Sequence, residues 1–416
     1  MASLRWATGL CRRAPLAPRS FSNLRYDLIP SSVIIDEETL PDYRPETFYP
    51  VRLGEVFASR YQIVAKLGYG STSTAWLARD LHEHCHVAVK VFARSSFMGS
   101  YVNHERSVYQ RISEGPPSHP GRGSVRQLLD TFQLEGPDGE HQCLVHPPLF
   151  ETLLTFLARN PAVGRLPKLM LAVVLHRLFL ALDYLHNGCG IIHADVRLDN
   201  IMFECSDESA LMRFEQAELD HPSPRKEVNG RVIHITRMVD VDTSAMGWPI
   251  LCDFGSAVFA DKLHDSYAQP RQYRAPEVVL KVPWGHKIDI WNVGCLIWDI
   301  FEGRNLFDGI DPKDSAYRGR AHLAEMISLL GPPPPEFINR GDLKDKFFSE
   351  SGEWTADTEL LPPKTLEHLE TSLEGAEKQL FLQLMNKMLQ WAPEDRKTAK
   401  ELAKDPWIIK NGLGCV

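Results

Sequence analysis

The chain of 416 residues is 44% hydrophobic and 24% charged, a composition that is ordinary for a folded globular protein. This length accommodates two or three domains, or one two-lobed enzyme with appendages. The formal net charge of −8 argues against general nucleic-acid binding and leaves room for a basic substrate. The eight cysteines include no C-x-x-C pair, so their spacing predicts neither a disulfide framework nor a zinc site and suits a reducing compartment.

The N-terminal residues 1–26 contain five arginines and no acidic residue. This composition is typical of a mitochondrial presequence, but Pro15 and Pro18 interrupt any helix, and a disordered basic tail is the alternative. Residues 27–60 contain four prolines and predict an extended lead-in, so we assign residues 1–60 to an N-terminal extension.

Two strand-like segments flank a turn that contains Gly68 and Gly70. Glycines in such a turn let backbone N–H groups approach a phosphate without interference from a Cβ atom. An ordinary hairpin turn is the alternative, because hairpins use glycine freely. The residues that would surround the phosphates are Leu67, Gly68, Tyr69, Gly70, Ser71, Thr72, Ser73, Thr74 and Ala75.

Lys90 directly follows an apolar strand-like run that includes Ala88. A lysine in a mostly buried strand needs a charged partner, and Glu105 in the helical stretch 97–112 is the natural candidate. The alternative is an edge-strand lysine that faces water. The residues before this strand, which we expect to be solvated members of a turn rather than metal ligands, are His82, His84, Cys85 and His86.

Further strand-like segments, 125–134 and 141–146, end at two consecutive prolines, 147 and 148. Residues 151–159 and 169–185 then predict helices. The second helix is the most apolar stretch of the chain, but it includes His176, Arg177 and Asp183 and is short for a membrane span. We therefore predict a core helix and no membrane span.

Residues 193–200 place a carboxylate, a cation and an amide close together in sequence. Asp195 would accept a hydroxyl proton, Arg197 would face a phosphate and Asn200 would bind Mg²⁺, a combination that suits phosphoryl transfer. Alone this signal is weak, because Asp, Arg and Asn fill many surface turns.

A polar insert, about residues 204–249, separates this loop from the next apolar strand, 250–252. Its acidic clusters and prolines predict a peripheral excursion with little packed core. The strand ends at Asp253-Phe254-Gly255, and the carboxylate of Asp253 is a second candidate ligand for Mg²⁺.

In this order, the motifs resemble those of the protein kinase family over about residues 61–409. The matches are to G-x-G-x-x-G-x-V near residue 70, V-A-I-K at 87–90, H-x-D-x-x-x-x-N at 193–200, D-F-G at 253–255 and A-P-E at 275–277. Closer features resemble the SR-protein kinases, especially their shorter fungal relatives. These features are Leu67-Gly68-Tyr69-Gly70, the insert before D-F-G, Arg271-Gln272-Tyr273-Arg274 and the segments 287–295 and 330–335.

The resemblance implies an α+β, two-lobed protein kinase fold. The small N-lobe, residues 61–149, would be mainly antiparallel β with one helix, and the larger C-lobe, residues 150–409, mainly helical, with a tail at 410–416. The implied activity is transfer of the γ-phosphoryl group of ATP, with Mg²⁺, to Ser or Thr of basic, Arg/Ser-rich protein substrates. It also implies a cytoplasmic or nuclear location, to which the Arg-rich N-terminus adds mitochondrial import as the alternative. We expect no direct nucleic-acid partner. The oligomeric state is left open, with a monomer favoured.

The resemblance also assigns roles to particular residues. The catalytic set is Asp195, Arg197, Lys90 and Glu105, and the metal ligands are Asn200 and Asp253. Besides the 67–75 turn and Lys90, the nucleotide would contact Ala88, the carbonyl of Pro147 and the N–H of Leu149. Glu277 and Arg396 would form a buried ion pair. Acidic residues that would steer an Arg-rich substrate, unless they belong to a solvated loop, are Asp299, Glu302, Asp308, Asp311 and Asp314.

Three positions depart from the family pattern. Ala194 replaces the arginine of H-R-D that would hold a phosphorylated activation loop, so we predict activity without that phosphorylation. Arg197 replaces a lysine and would bind phosphate as a fork, and Ser73 stiffens the turn relative to glycine.

Two rival functions remain at this stage. A pseudokinase that only binds partners has no chemical need to keep Lys90, Asp195, Asn200 and Asp253 together. Phosphoryl transfer to a small molecule fits poorly with the A-P-E motif and the peptide-binding segment that this motif anchors in kinases.

Overall fold

The computed structural model describes residues 14–21, 25–94, 96, 99–159, 165–238 and 246–413. The predicted presequence lies partly outside the described residues, at 1–13 and 22–24. The chain divides into two compact units, one within residues 1–102, 128–149 and 205–246 and the other within 103–127, 150–204 and 247–416. The first carries a six-stranded antiparallel sheet and the second most of the helices, which confirms the predicted two-lobed α+β fold.

The elements are numbered here in chain order. The strands are β1 (Val56–Phe57), β2 (Tyr61–Gly70), β3 (Ser73–Asp80), β4 (Cys85–Phe92), β5 (Asp130–Gly136), β6 (Gly139–His146), β7 (Leu149–Thr152), β8 (Ile191–Ile192), β9 (Ile201–Cys205), β10 (Arg225–Val228), β11 (Arg231–His234), β12 (Met246–Leu251), β13 (Val258–Phe259), β14 (Ile310–Asp311) and β15 (Ala316–Tyr317). The helices are α1 (Ser100–Glu114), α2 (Leu153–Arg159), α3 (Lys168–Asp183), α4 (Glu208–Asp220), α5 (Pro276–Leu280), α6 (Lys287–Glu302), α7 (Gly319–Leu330), α8 (Pro335–Ile338), α9 (Leu366–Leu369), α10 (Gly375–Asn386), α11 (Ala399–Leu402) and α12 (Pro406–Ile408).

The sheet of the first unit has the strand order β1-β2-β3-β4-β6-β5. Strand β4 lies between two neighbours, and its β-branched residues Val87, Val89 and Val91 join Trp76 in the buried core. Such residues favour strands because they pack well on a pleated, buried surface. A central position for β4 means that its lysine, Lys90, is not an edge-strand residue.

The insert packs into the first unit, so the prediction of a peripheral excursion with little core is wrong. Asp207 caps α4 by accepting a hydrogen bond from the N–H of Ser209 at 2.8 Å. Leu211 and Phe214 on α4 are buried, as is Ile233 on the β10–β11 hairpin. A few apolar residues in a polar sequence are enough to form a packed core here, because they pack against the apolar surface of the sheet.

The described part of the N-terminal extension also packs on this unit. The N–H of Leu16 donates to the carbonyl of Leu81 at 2.8 Å. The Gln62 side chain bonds both the N–H and the carbonyl of Arg19, at 2.9 and 2.7 Å. The Arg19 guanidinium lies 3.0 Å from Glu215 of α4.

One histidine of the 82–86 group is not the solvated turn residue that we expected. His86 is buried in β4, with Nδ1 at 2.6 Å from Glu208 and Nε2 at 2.8 Å from Glu215. Burial alone would lower the pKa of His86, but its hydrogen bonds to the carboxylates of Glu208 and Glu215 outweigh the effect of burial, and the pKa is raised. A charged side chain can be buried here because α4 brings two carboxylates to it.

The second unit is built around buried apolar helices. The helical run Lys168–Cys189 is long and apolar enough to cross a membrane by length and composition, but 67% of its most apolar window is buried inside the protein. This burial confirms the interpretation as a core helix. Helix α1 packs on the segment after β12, with the ring of Tyr109 centred 5.2 Å from that of Phe254.

Candidate active site

The backbone of the 193–200 loop is held by Asp289, a carboxylate buried in α6. Asp289 accepts hydrogen bonds from the N–H groups of His193 at 2.9 Å and Ala194 at 2.8 Å, and lies 2.8 Å from Nε2 of His186. Burial alone would raise the pKa of Asp289, but the contacts with His186 and His193 lower it, so the carboxylate stays ionised. We did not predict this role. The signal for it was a carboxylate in an apolar helical run, which must have buried partners.

Ala194 adopts a φ of 63°, a left-handed conformation that costs a residue with a Cβ atom about 1–2 kcal/mol. The hydrogen bonds that the His193 and Ala194 N–H groups donate to Asp289 offset this strain and fix the direction of the backbone that leads into Asp195.

Asp195 and Asn200 contact each other directly. The side-chain nitrogen of Asn200 donates to a carboxylate oxygen of Asp195 at 3.1 Å and to its backbone carbonyl at 2.9 Å. This use of the amide nitrogen leaves the amide oxygen as the group of Asn200 suited to a cation. Burial raises the pKa of Asp195, and the charge of Asp253 adds to the rise, while the Asn200 hydrogen bond opposes it.

Asp253 follows a strand that is tied to the same loop at two points. The N–H of Cys252 donates to the carbonyl of Asn200 at 2.8 Å, and Nε2 of His193 lies 3.1 Å from the carbonyl of Cys252. Asp253 has a φ of 59°, which aspartate tolerates better than most residues. The second unit therefore brings Asp195, Asn200 and Asp253 to one place.

This donor set fits Mg²⁺ bound together with phosphates. In the described ranges, no group of three His, Cys, Asp or Glu side chains is placed to hold a metal ion. Mg²⁺, however, takes oxygen ligands, keeps several waters and is usually held by one or two carboxylates plus substrate phosphates. The carboxylate of Asp253 and the amide oxygen of Asn200 are the groups that would hold it.

Arg197 is exposed, and its guanidinium pairs with Asp199 two residues later. The side chain thus lies at the surface of the loop that carries Asp195. Its predicted contact with the transferring phosphate stays a prediction.

In the first unit, the predicted phosphate-binding turn is the tip of the β2–β3 hairpin. Strand register pairs Gly68 with Ala75, Tyr69 with Thr74 and Gly70 with Ser73, which leaves Ser71 and Thr72 at the tip. A Cβ atom built on Gly68 would meet no atom of the described chain within 4 Å. Packing therefore does not explain this glycine, whereas a closely approaching ligand would.

Lys90 lies in β4 opposite Ala75, so strand pairing places it next to the hairpin. It is half-buried, and its Nζ lies 4.8 Å from the centre of the Phe92 ring. Ala88 is buried two residues earlier in the same strand. Glu105 is a buried residue of α1, and its pairing with Lys90 stays a prediction.

The proposed adenine contacts fall at the end of the sheet. Strand β6 ends at His146, Pro147 and Pro148 form a short connection, and the buried Leu149 begins β7. Neither proline interrupts a strand. The contacts of the Pro147 carbonyl and the Leu149 N–H with a nucleotide stay predictions.

The predicted ion pair of Glu277 and Arg396 is confirmed. Two guanidinium nitrogens bond two carboxylate oxygens at 2.6 and 2.7 Å, and neither side chain is exposed. The bidentate geometry satisfies both groups out of water, which a buried pair requires.

A glutamine that we did not single out holds the segment before A-P-E. The Gln269 side chain donates to the carbonyl of Ile288 at 2.9 Å and to Asn292 at 2.8 Å, and accepts from the N–H of Ala275 at 2.8 Å. Its backbone N–H donates to the carbonyl of Ala194 at 3.1 Å. Gln269 thus fixes this segment to the catalytic loop without any charge. No sequence pattern around Gln269 indicates such a role.

A cavity of about 430 Å³ adjoins Asp195 in the second unit. Its lining includes Tyr267, Gln269, Arg274 and Trp284. The Arg274 guanidinium lies 5.4 Å from the centre of the Tyr267 ring, a distance at which cation–π attraction orients both groups. This cavity provides room beside Asp195 for a side chain of a bound peptide.

Most of the acidic residues suggested for substrate steering are already engaged within the second unit. Glu302 and Asp311 are buried, and Asp311 bonds Arg320 at 2.5 Å. Asp299 accepts a hydrogen bond from Tyr273, and burial raises its pKa to about 6. Asp314 pairs with Arg318 at 2.5 Å. The steering role suggested for this group is therefore wrong for Asp299, Glu302 and Asp311, whose carboxylates are engaged within the unit. For the exposed Asp308 and Asp314 it stays a prediction.

Known proteins with similar sequences agree with this geometry. Residues 238–408 match the family model described as the protein kinase domain. A serine/threonine protein kinase of Aspergillus fumigatus is 42% identical over 401 residues, which cover 96% of this chain and 97% of that relative. The serine/threonine-protein kinase SRPK of Physarum polycephalum is 31% identical over 400 residues, covering 90% and 91% of the two chains. SRSF protein kinase 3 of Homo sapiens is 23% identical over 517 aligned positions, covering 90% of each chain.

Together, the two-lobed fold, the ordered motifs and a relative at 42% identity over nearly the whole length confirm the predicted family and enzyme class. The chain belongs to the protein kinase family, as an SRPK-like serine/threonine protein kinase.

Proposed function

We propose that this kinase transfers the γ-phosphoryl group of ATP, with Mg²⁺, to serine or threonine hydroxyls of basic, Arg/Ser-rich proteins. The observation that carries the proposal is the contact of the Asn200 amide with the Asp195 carboxylate at 3.1 Å, next to the strand that ends at Asp253. These groups combine a proton acceptor with two oxygen ligands for a cation, which is the arrangement that phosphoryl transfer needs.

Asp195 orients the substrate hydroxyl and accepts its proton as the new bond to phosphorus forms. A raised pKa brings this carboxylate nearer to neutral pH, where a general base is most effective. Asn200 and Asp253 hold Mg²⁺, which when bound neutralises charge on the phosphates. Arg197 stands beside the acceptor site and stabilises negative charge on the transferring group.

The nucleotide itself is bound by residues of the first unit. Backbone N–H groups of the 67–75 turn contact the phosphates, and Lys90 contacts the α- and β-phosphates. Ala88, the Pro147 carbonyl and the Leu149 N–H surround adenine. The open space around Gly68 supports this placement of the phosphates.

The preference for basic substrates rests on the similarity to proteins named SRPK and SRSF protein kinase 3. The net charge of −8 is compatible with it. We place the enzyme in the cytoplasm or nucleus by the same similarity. Mitochondrial import is the alternative, and imaging the full chain beside a chain without residues 1–26, each fused to a fluorescent protein, would distinguish the two.

We further propose that activity does not depend on phosphorylation of the activation segment. Ala194 offers no guanidinium to a phosphate, and Gln269 supplies neutral hydrogen bonds to Ala275, Asn292 and Ile288 instead. A large rise in turnover on phosphorylation of Ser266 or Tyr267 would contradict this. The comparison is between enzyme treated with a phosphatase and untreated enzyme.

The decisive test uses the full chain with labelled Mg·ATP, an Arg-Ser repeat peptide and an acidic peptide of equal length. We expect phosphate on the Arg-Ser peptide, with Asp195→Ala reducing the rate to background and Asp345→Ala, a change at an exposed carboxylate without an assigned role, leaving it unchanged. Preference for the acidic peptide would contradict the substrate proposal alone. Equal incorporation by wild type and Asp195→Ala would instead support a pseudokinase.

A further inference from the structure

A buried lysine lies at the base of the nucleotide-binding turn. Lys66 belongs to β2, two residues before Gly68, and its side chain has no exposed surface. The ammonium bonds Glu37, lies 3.1 Å from a carboxylate oxygen of Asp36 and donates to the carbonyl of His234 at 2.8 Å. We refer to Asp36, Glu37, Lys66 and His234 as the Lys66 cluster.

The Lys66 cluster joins three segments that are far apart in sequence. Asp36 and Glu37 belong to the N-terminal extension, Lys66 to the sheet and His234 to the insert. The backbone is held as well, because the N–H of Arg237 donates to the carbonyl of Lys66 at 3.0 Å. The extension and the insert are also tied to each other, since Asp36 accepts hydrogen bonds from Thr236 at 2.6 Å.

The pairing of β2 with β3 constrains the backbone only weakly where β2 enters the turn. The β2–β3 register shifts between Lys66 and Gly68, so the ladder is irregular where the strand enters the turn. Beyond the shift, Tyr69 has one side-chain contact with the extension and one with Lys66. The Tyr69 hydroxyl lies 3.4 Å from Oγ1 of Thr39, and the Tyr69 ring is centred 5.5 Å from Nζ of Lys66.

We propose that the Lys66 cluster positions the glycine turn for the phosphates of ATP, so that the extension and the insert together set nucleotide affinity. Lys66 is a positioning residue in this scheme and does not touch the nucleotide. The inference rests on the proposed function, because it requires that the 67–75 turn binds the phosphates.

The chain offers a matched control for Lys66. Lys226 in β10 is also buried and joins the insert to the extension, since its ammonium bonds Glu38 at 2.8 and 2.9 Å and the Val33 carbonyl at 2.8 Å. These partners lie in the extension and not in β2. Loss of Lys226 should therefore loosen the extension without acting directly on the turn.

The test compares full-length Lys66→Met and Lys226→Met with wild type. It measures the Kd for Mg·ATP by displacement of a fluorescent nucleotide, steady-state kinetics with the Arg-Ser peptide, and amide hydrogen exchange across residues 67–72. We expect Lys66→Met to raise the Kd and the KM for ATP about 5–10-fold, the scale of one typical hydrogen bond, because the turn is displaced rather than deprived of a direct contact with the nucleotide. The kcat and the KM for peptide should change less than about twofold, and exchange in the turn should rise. Lys226→Met should leave all of these near wild type.

Two milder variants keep the proposal testable if Lys66→Met does not fold. Lys66→Arg keeps the charge and should restore most of the nucleotide affinity. Asp36→Asn removes one carboxylate and should raise the Kd for Mg·ATP about twofold. An unchanged Kd in every Lys66 and Asp36 variant that folds would overturn the proposal. A wild-type chain that binds no Mg·ATP would overturn the proposed function as well, which distinguishes the two failures.

Discussion

The two units each contain a buried cation among carboxylates, and the two sites differ in construction. In the second unit, Arg396 and Glu277 form a closed, two-residue contact with parallel bonds of 2.6 and 2.7 Å. In the first unit, Lys66 is surrounded by Asp36, Glu37 and a backbone carbonyl, contributed by two other segments. A guanidinium suits one bidentate partner, whereas an ammonium with three rotatable donors can gather several. We conclude that the Arg396–Glu277 pair joins two elements and that the Lys66 cluster joins three segments.

The largest expected effect comes from breaking the closed pair. Arg396→Met leaves the Glu277 carboxylate buried without its partner and should reduce the free energy of unfolding by about 3–5 kcal/mol. Urea denaturation followed by tryptophan fluorescence measures this. The double variant Glu277→Gln with Arg396→Met should recover part of the loss, because no unpaired charge remains. A double variant less stable than Arg396→Met would contradict the argument.

The Lys66 cluster should tolerate the loss of its cation better than the Arg396–Glu277 pair does. Lys66→Met should reduce the free energy of unfolding by about 1–3 kcal/mol, the cost of unpaired polar groups, because the Asp36 side chain retains contact with water. The same urea experiment measures it. If Lys66→Met loses as much free energy of unfolding as Arg396→Met, the distinction between the fully buried Arg396–Glu277 pair and the partly hydrated Lys66 cluster is wrong.

The same contrast explains which parts of the protein were predictable from its sequence. Arg396, Glu277, Asp195 and Asp253 sit in motifs that resemble those of protein kinases, and within the second unit the structure pairs Glu277 with Arg396 and brings Asp195 near Asp253. Strand β4 and the core helix were predictable because a continuous apolar run indicates an element that is buried on more than one face.

The remaining contacts form between residues that no sequence pattern connects. His86 is one histidine in a polar turn, and only the folding of α4 brings Glu208 and Glu215 to it. Lys66 lies in an ordinary strand sequence, and its carboxylates come from a proline-containing extension without a motif. Such contacts form between segments far apart in the chain, whose register no local pattern encodes.

A third charged contact, between His86 and the carboxylates of Glu208 and Glu215, extends the comparison because its strength depends on pH. The raised pKa of His86 means that its pairing with Glu208 and Glu215 stabilises the fold fully below the unfolded value of 6.5 and is lost as pH rises through the folded value. Other charges near it are Arg79 and Arg19, which lie 3.6 and 3.0 Å from Glu215. His86→Gln should therefore cost about 1 kcal/mol at pH 6 and less at pH 9. Urea denaturation at both pH values measures this, and a cost independent of pH would contradict the ionic role.

The smallest effect on stability should come from Asp195, a half-buried carboxylate that has an amide for its direct side-chain partner. Because burial raises the pKa of Asp195, its ionised form is less favourable in the folded protein than in the unfolded chain. Asp195→Asn should therefore leave the free energy of unfolding at pH 7 unchanged or slightly higher, while kcat falls by about 10²–10⁴-fold with loss of the proton acceptor. In wild type, the acidic limb of the kcat profile should lie above the range of an ordinary aspartate, since activity needs the ionised form. A marked loss of stability in Asp195→Asn would show that this carboxylate supports the fold as Glu277 does, and not the chemistry alone.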